Sequence, residues 1–263
     1  IPAYVASRFS FGYPYGAWIP SLSIVFTMIG WFAITTELAG MAVNQALGEL
    51  IGLDIVTPLI MLVGLMCAVP AVIGFENIKW LSMVSVPLLL GLACWMLIEI
   101  LSDNSFWNLV SYTPTGEITF GTGVDWVIGA LISGVFMAPD FSRYLRNRMN
   151  MYIAYFLCIF PFLFLTGIGA ISKLATGDWN PINAVQQLGL GIPALIIIFF
   201  ATWTTMDTAL YSAGLAMTNI FTRFKRWQNT IFVSLIGTTL AVFRVTEYFR
   251  GFLLLLSNIF SPM

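Results

Sequence analysis

The sequence predicts an all-α membrane protein, and three observations carry that prediction. Hydrophobic residues fill 59% of the 263 positions and charged residues only 9%, against roughly 25% charged in soluble domains. Mean hydropathy is +0.90. The apolar residues fall in long runs near 18–47, 55–75, 80–101, 124–142, 150–172, 191–220, 228–243 and 250–262, most of which reach the ~20 residues that cross a bilayer as helix. Strands of a membrane barrel would be ~10 residues long with alternating polarity, and these runs are too long and too uniformly apolar for that.

Taken in order, the runs predict six full spans, a shorter seventh and a stub. No signal peptide is visible in "IPAYVASRFSFG", which has neither an initiator methionine nor a charged n-region before an apolar stretch. "NIFSPM" stops within an apolar run, so both ends read as cuts, and residues 1–263 as one partial transmembrane domain. Basic residues mark the cytoplasmic side. With Arg8 inside, alternation also puts Lys79, Arg143, Arg146, Arg148, Arg223, Lys225 and Arg226 inside, and leaves Lys173, Arg244 and Arg250 outside with the loop 102–123.

Composition excludes several chemistries. The chain has no histidine, so His-based zinc sites and Ser-His or Cys-His pairs cannot form within it. An aspartyl mechanism needs two carboxylates sharing a proton, and Asp140 and Asp207 lack a Gly-x-Gly-Asp or Tyr-Asp context; no enzyme activity is expected. A net charge of −1 argues against a nucleic-acid partner. Cys67, Cys94 and Cys158 fall within spans without paired spacing and read as small buried apolar residues.

Three runs carry polar features. In "ATWTTMDTALYSAGL" (201–215) helical spacing gathers Thr204, Thr208 and Tyr211 on one side, with Ala201, Thr205 and Asp207 on the flanks. Such residues either bond the backbone and glue helices together, or present several oxygens to a hard cation such as Na⁺. In "FTMIGWFAITTELAG" (26–40) the mid-span Trp31 either packs with a hydrogen-bonded ring N–H or stacks on a ligand. Thr35 and Glu37 give that helix a polar side facing the bundle. In "VIGALISGVFMAPDF" (127–141) Gly129, Ser133, Gly134 and Pro139 mark a broken helix lining a cavity, or a closely packed one. A faint similarity links "ELAGMAVN" (37–44) to "YSAGLAMTN" (211–219).

"SRFSFG" (7–12), "WIPSL" (18–22), "IGWF" (29–32) and "WTTMDTALYSAGLAMTNI" (203–220) make the chain resemble the nucleobase:cation symporters, purine/cytosine branch, along nearly its whole length. The resemblance implies a leucine-transporter-type bundle of two inverted five-helix repeats, of which this chain holds about helices three to ten. It implies an aromatic platform at Trp31, pocket positions at Gly129 and Ser133, and a Na⁺ site formed by the hydroxyls of Thr204 and Thr205 with the carbonyl of Ala201. Asp207 is expected to support the helix. Cytosine-transporting members carry glutamine where Met28 stands, phenylalanine where Leu131 stands, and asparagines where Ala201 and Met206 stand. Loss of those groups removes hydrogen-bond discrimination and implies a substrate other than cytosine. The expected substrate positions are thus Trp31, Met28, Thr35, Gly129, Leu131, Ser133 and Met206.

The function this implies is import of a planar nitrogen heterocycle (purine, pyrimidine, hydantoin or vitamin precursor) across the plasma membrane. Transport would be coupled to Na⁺ or to H⁺, with no cofactor beyond the ion and with the lipid bilayer and the small molecule as partners. The alternative is a non-transporting fragment or degenerate paralogue of such a permease.

Overall fold

Lipid offers the backbone no hydrogen-bond partners, so each apolar run closes its own bonds as helix. The computed structural model describes residues 5, 8, 9, 12, 18–103, 106–111, 119–145 and 147–260. Among these the order is α1 (Trp18–Ile51), α2 (Val56–Cys67), α3 (Val69–Ile73), α4 (Phe75–Asp103), α5 (Phe106–Val110) and α6 (Phe120–Ser142). Then follow α7 (Arg148–Thr176), α8 (Pro181–Gln187), α9 (Gly191–Ile220), α10 (Arg226–Val242), a 3-10 turn (Val245–Tyr248) and α11 (Phe249–Phe260). Six stretches are long and apolar enough to cross a membrane, and the 226–242 and 245–259 segments add a seventh that is bent by 85°. The expected six spans are present among the described residues, and the expected shorter seventh and stub are the two arms of that bent pair.

Two short helices interrupt regions expected to be loop. α5 lies within 102–123, much of which is outside the described residues. α8 starts because the Asn180 side chain accepts the Ile182 N–H at 3.0 Å and Pro181 occupies the first turn, both favourable helix-start signals.

The core is the α1–α9 pair. Ile24, Met28, Phe32 and Ala39 of α1 pack with Met206, Leu210, Ala213 and Met217 of α9. Small residues let the surrounding helices come close: a Cβ on Gly40 would meet the Ile60 Cα of α2 at 2.7 Å, and one on Gly237 of α10 would enter the Phe32 ring. α6 stands apart from this pair; it packs mainly on α11 and touches α1 only lightly.

Basic residues gather at one end. Arg8 donates to the Asn219 side chain, whose amide donates to Ser21 Oγ at 2.8 Å. Arg226 donates to the Ala71 and Val72 carbonyls at 2.8 and 2.9 Å. Arg143 donates to the Tyr211 hydroxyl at 2.8 Å, and the Tyr144 and Tyr211 hydroxyls lie 2.7 Å apart. Arg8, Arg143 and Arg226 therefore share the end at which α1 begins and α6 and α9 finish; Arg146 lies outside the described residues.

The cysteine expectation needs correcting. Cys67 is buried, but Cys94 of α4 and Cys158 of α7 are exposed. The hydropathic stretches of α4 and α7 bury only 17% and 6% of their residues inside the bundle, so an apolar position there faces outward more often than inward.

Candidate functional site

Helical spacing delivers one wall of a cavity from each of five helices. α1 presents Met28 and Trp31, three residues apart. α9 presents Thr204, Thr205 and Thr208, and α6 presents Leu131, Ser133 and Gly134. Ser82 of α4 and Phe162 of α7 complete a cavity of about 420 Å³, within the range of small-molecule sites. The indole and the threonine hydroxyls that the sequence singled out thus line one space.

The oxygens are concentrated on α9. Thr204 Oγ1 donates to the Ala201 carbonyl at 2.8 Å, Thr205 Oγ1 lies 3.4 Å from the same carbonyl, and Thr208 Oγ1 donates to the Thr204 carbonyl at 2.7 Å. These are the ordinary back-bonds of helical threonine. A hard cation needs more than three oxygens, so Ala201, Thr204 and Thr205 fit as one side of a Na⁺ shell. Hydroxyl and carbonyl oxygens are the right donor type.

Trp31 is half-buried and meets Phe249 and Phe252 of α11 edge-on, with ring centroids at 5.9 and 5.8 Å. Its ring N–H has no acceptor among the described residues. Thr35 donates instead to the Trp31 carbonyl at 2.7 Å, bracing the turn beneath the indole.

Three expected substrate positions lie outside the cavity lining. Met206 is fully buried in the α1–α9 core, where its sulfur accepts from Thr36 Oγ1 at 3.1 Å; it lies on a different face of α9 from Thr204 and Thr208. Gly129 is a packing position: a Cβ there would collide with the backbone carbonyl of Leu253. α6 runs unbroken from Phe120 to Ser142; it packs closely on α11 at Gly129, while Leu131, Ser133 and Gly134 line the cavity. Thr35 is buried against its own helix. Asp207 is also outside the lining and fully buried.

Ser82 and Phe162 escaped the sequence reading. Ser82 left a faint signal, a hydroxyl inside the apolar run "KWLSMVSVP"; Phe162 left none, because an aromatic in a span reads alike toward lipid or ligand. Among the described residues, no acidic, basic, cysteine or tyrosine side chain lines the cavity. It can stack a ring, offer hydroxyl donors and acceptors, and solvate a cation, but it holds no base–nucleophile pair.

A family model described as a permease for cytosine/purines, uracil, thiamine and allantoin matches residues 1–263. The chain is similar to the cytosine permease of Escherichia coli (strain K12), 28% identical over 269 residues, which covers 100% of this chain and 61% of that protein. It is also similar to the hydantoin permease of Microbacterium maritypicum, 25% identical over 283 residues, covering 98% of this chain and 58% of that protein. Among solved structures it is similar to Mhp1, a nucleobase-cation-symport-1 family transporter in a closed conformation with bromovinylhydantoin bound, with TM-score 0.85, 24% identity and coverage of 100% of this chain and 62% of that one. The inward-facing conformation of Mhp1 matches with TM-score 0.82 at 23% identity, over 98% of this chain and 60% of that one. The helical bundle therefore has the Mhp1 fold, over about three fifths of the length of its relatives.

Proposed function

This chain belongs to the family of permeases for cytosine/purines, uracil, thiamine and allantoin, and on that premise we propose that it forms the central part of a Na⁺-coupled importer of a planar nitrogen heterocycle other than cytosine. The observation that carries this reading is the shared cavity: Trp31 and the Thr204–Thr205 hydroxyls line the same 420 Å³.

Each participant has a physical role. The Trp31 indole supplies a flat π surface, and stacking on such a surface is worth about 1–3 kcal/mol for a base. Ser133 and Ser82 supply hydroxyls that reach a ligand edge. Met28, Leu131 and Met137 make the remaining wall apolar, which favours a less polar ring or a ring with an apolar substituent over one recognised by amide groups. Thr204, Thr205 and the Ala201 carbonyl hold part of the ion shell. Ion and ring each favour the state in which this cavity is formed, so binding one raises affinity for the other by a shared free energy. Movement of the α6–α11 pair against the α1–α9 core would then alternate access around the site.

The test is uptake by the full-length protein of a radiolabelled panel of hydantoin, uracil, adenine, allantoin and cytosine, with Na⁺ or with choline replacing it. Na⁺-dependent uptake of a heterocycle other than cytosine is expected. Micromolar uptake of cytosine, or no uptake of any panel member, would contradict the proposal.

A further inference from the structure

Beyond the Trp31 cavity the structure holds a second, larger one. It measures about 610 Å³ and is lined by Trp126 of α6, Trp179 between α7 and α8, Thr246 and Glu247 of the 3-10 turn, and Phe249, Arg250 and Leu253 of α11. Among the described residues, none lines both cavities. Its place along the bundle follows from α1: Ser21 is at the basic end, Trp31 faces the inner cavity, and Glu37 bonds Thr246 of this outer one. From Ser21 to Glu37 is about 24 Å of helix, so the outer cavity lies toward the end opposite the basic cluster.

Its walls have a specific chemistry. Three aromatic rings come from three separate elements. Trp179 and Phe249 lie nearly parallel, 10° apart with centroids at 6.1 Å. Arg250 sits over the Trp126 ring with its guanidinium carbon 5.7 Å from the centroid, a cation–π distance, and the Trp126 ring N–H has no acceptor among the described residues. Glu247 adds a carboxylate three residues before Arg250. Flat apolar surfaces beside the donors of Arg250 and the Trp126 ring N–H and the acceptor carboxylate of Glu247 match a small planar ring whose edge carries both a C=O and an N–H. Aliphatic or strongly charged solutes would leave either the rings or the polar groups unused.

The two cavities are joined by rings. Phe249 faces Trp179 in the outer cavity and meets Trp31 at 5.9 Å, so Trp179, Phe249 and Trp31 form a continuous aromatic series from one space to the other, with Phe252 beside it at 5.8 Å from Trp31.

We propose that the outer cavity, bounded by Trp126, Trp179, Phe249, Glu247 and Arg250, is a second binding site for the planar heterocycle, occupied before the ring passes to Trp31. This rests on the heterocycle-import reading above and adds a site to it. Capture there raises the local concentration of ligand at the inner site and therefore acts on KM, whereas turnover belongs to the inner cavity.

The experiment is equilibrium binding and uptake of radiolabelled hydantoin, uracil, adenine and allantoin by the full-length protein in nanodiscs with Na⁺. Wild type should show two classes of site. The Trp126→Ala/Trp179→Ala variant should lose the weaker class and raise KM about tenfold, the loss expected for a stacking surface, with kcat unchanged. Trp126→Phe/Trp179→Phe, which keeps the rings, should retain both classes, and Arg250→Gln should weaken only the outer one. A single class of site in wild type, or an unchanged KM in Trp126→Ala/Trp179→Ala with normal inner-site binding, would overturn the outer site and leave the import reading standing. Absence of binding by every probe would overturn both.

Discussion

Glu37 in the middle of α1 holds Thr246 by two hydrogen bonds: the Thr246 N–H donates to Oε2 at 2.9 Å and its hydroxyl donates to Oε1 at 2.6 Å. The pair lies at the 85° bend that follows α10. Two residues earlier Arg244 adopts φ 57°, a left-handed conformation that costs a non-glycine residue roughly 1–2 kcal/mol. The Glu37 carboxyl fixes the first turn after that strained position and so anchors α11, which carries Phe249 and Phe252 against Trp31.

Glu37→Gln replaces one acceptor oxygen with an amide that faces a donor. Stability should fall by about 1–3 kcal/mol, read as a lower Tm of the full-length protein in detergent. An unchanged Tm would mean the bend is held by other contacts.

Gly129→Ala puts a methyl group against the Leu253 carbonyl, which is backbone and cannot swing away. The cost should be about 1–3 kcal/mol, with lower Tm and yield and no selective change in ligand affinity. A variant of normal stability with weakened ligand binding would return Gly129 to the pocket.

Leu131 and Met28 set the apolar character of the cavity wall. Met28→Gln with Leu131→Phe adds an amide and a second ring, and should raise cytosine binding by about tenfold or more, as a correctly placed polar group discriminates strongly. Competition binding reads this directly; no gain in cytosine affinity would indicate that these positions do not set selectivity.

Asp178 shapes the segment that presents Trp179. Its carboxylate accepts the Asn180 N–H at 2.9 Å and the Asn183 amide at 2.7 Å, and these bonds, the Asn180 N–H foremost, hold it below the usual carboxylate range. A depressed folded-state value means its stabilisation is complete above the ordinary aspartate range and is lost as pH falls through the folded value. Hydrogen exchange of residues 178–184 should therefore quicken on acidification below that ordinary range, and Asp178→Asn should remove this dependence. Exchange that is flat with pH in the wild type would refute the local role.

The spans were legible because hydrocarbon imposes the same demand on every crossing helix, and the runs at 18–47 and 191–220 became the core pair α1 and α9. Their faces were less legible. In water an apolar residue points inward, but in a bilayer lipid is as apolar as the core, so sequence could not show that core Met28 also borders the cavity while core Met206 does not, or separate buried Cys67 from exposed Cys94. Polar residues carried part of the facing information: of the side formed by Thr204, Thr208 and Tyr211, the two threonines line the cavity together with flanking Thr205, whereas Tyr211 bonds Arg143 at the basic end, and Glu37 points into the bundle as expected. The bend at Arg244 had no glycine or proline to announce it, and the contact of Gly129 with α11 depends on a partner more than a hundred positions away in the chain.

The central claim is that ring and ion occupy one cavity and stabilise each other there. Its most direct test is the reciprocal binding measurement on the full-length protein: heterocycle affinity with and without Na⁺, and Na⁺ affinity with and without heterocycle, in wild type and in Thr204→Ala/Thr205→Ala. The account predicts equal enhancement in both directions, because coupling free energies are mutual, and its loss in the double variant while Trp31-dependent ring binding persists. Heterocycle affinity indifferent to Na⁺, or coupling undiminished without the two hydroxyls, would contradict it.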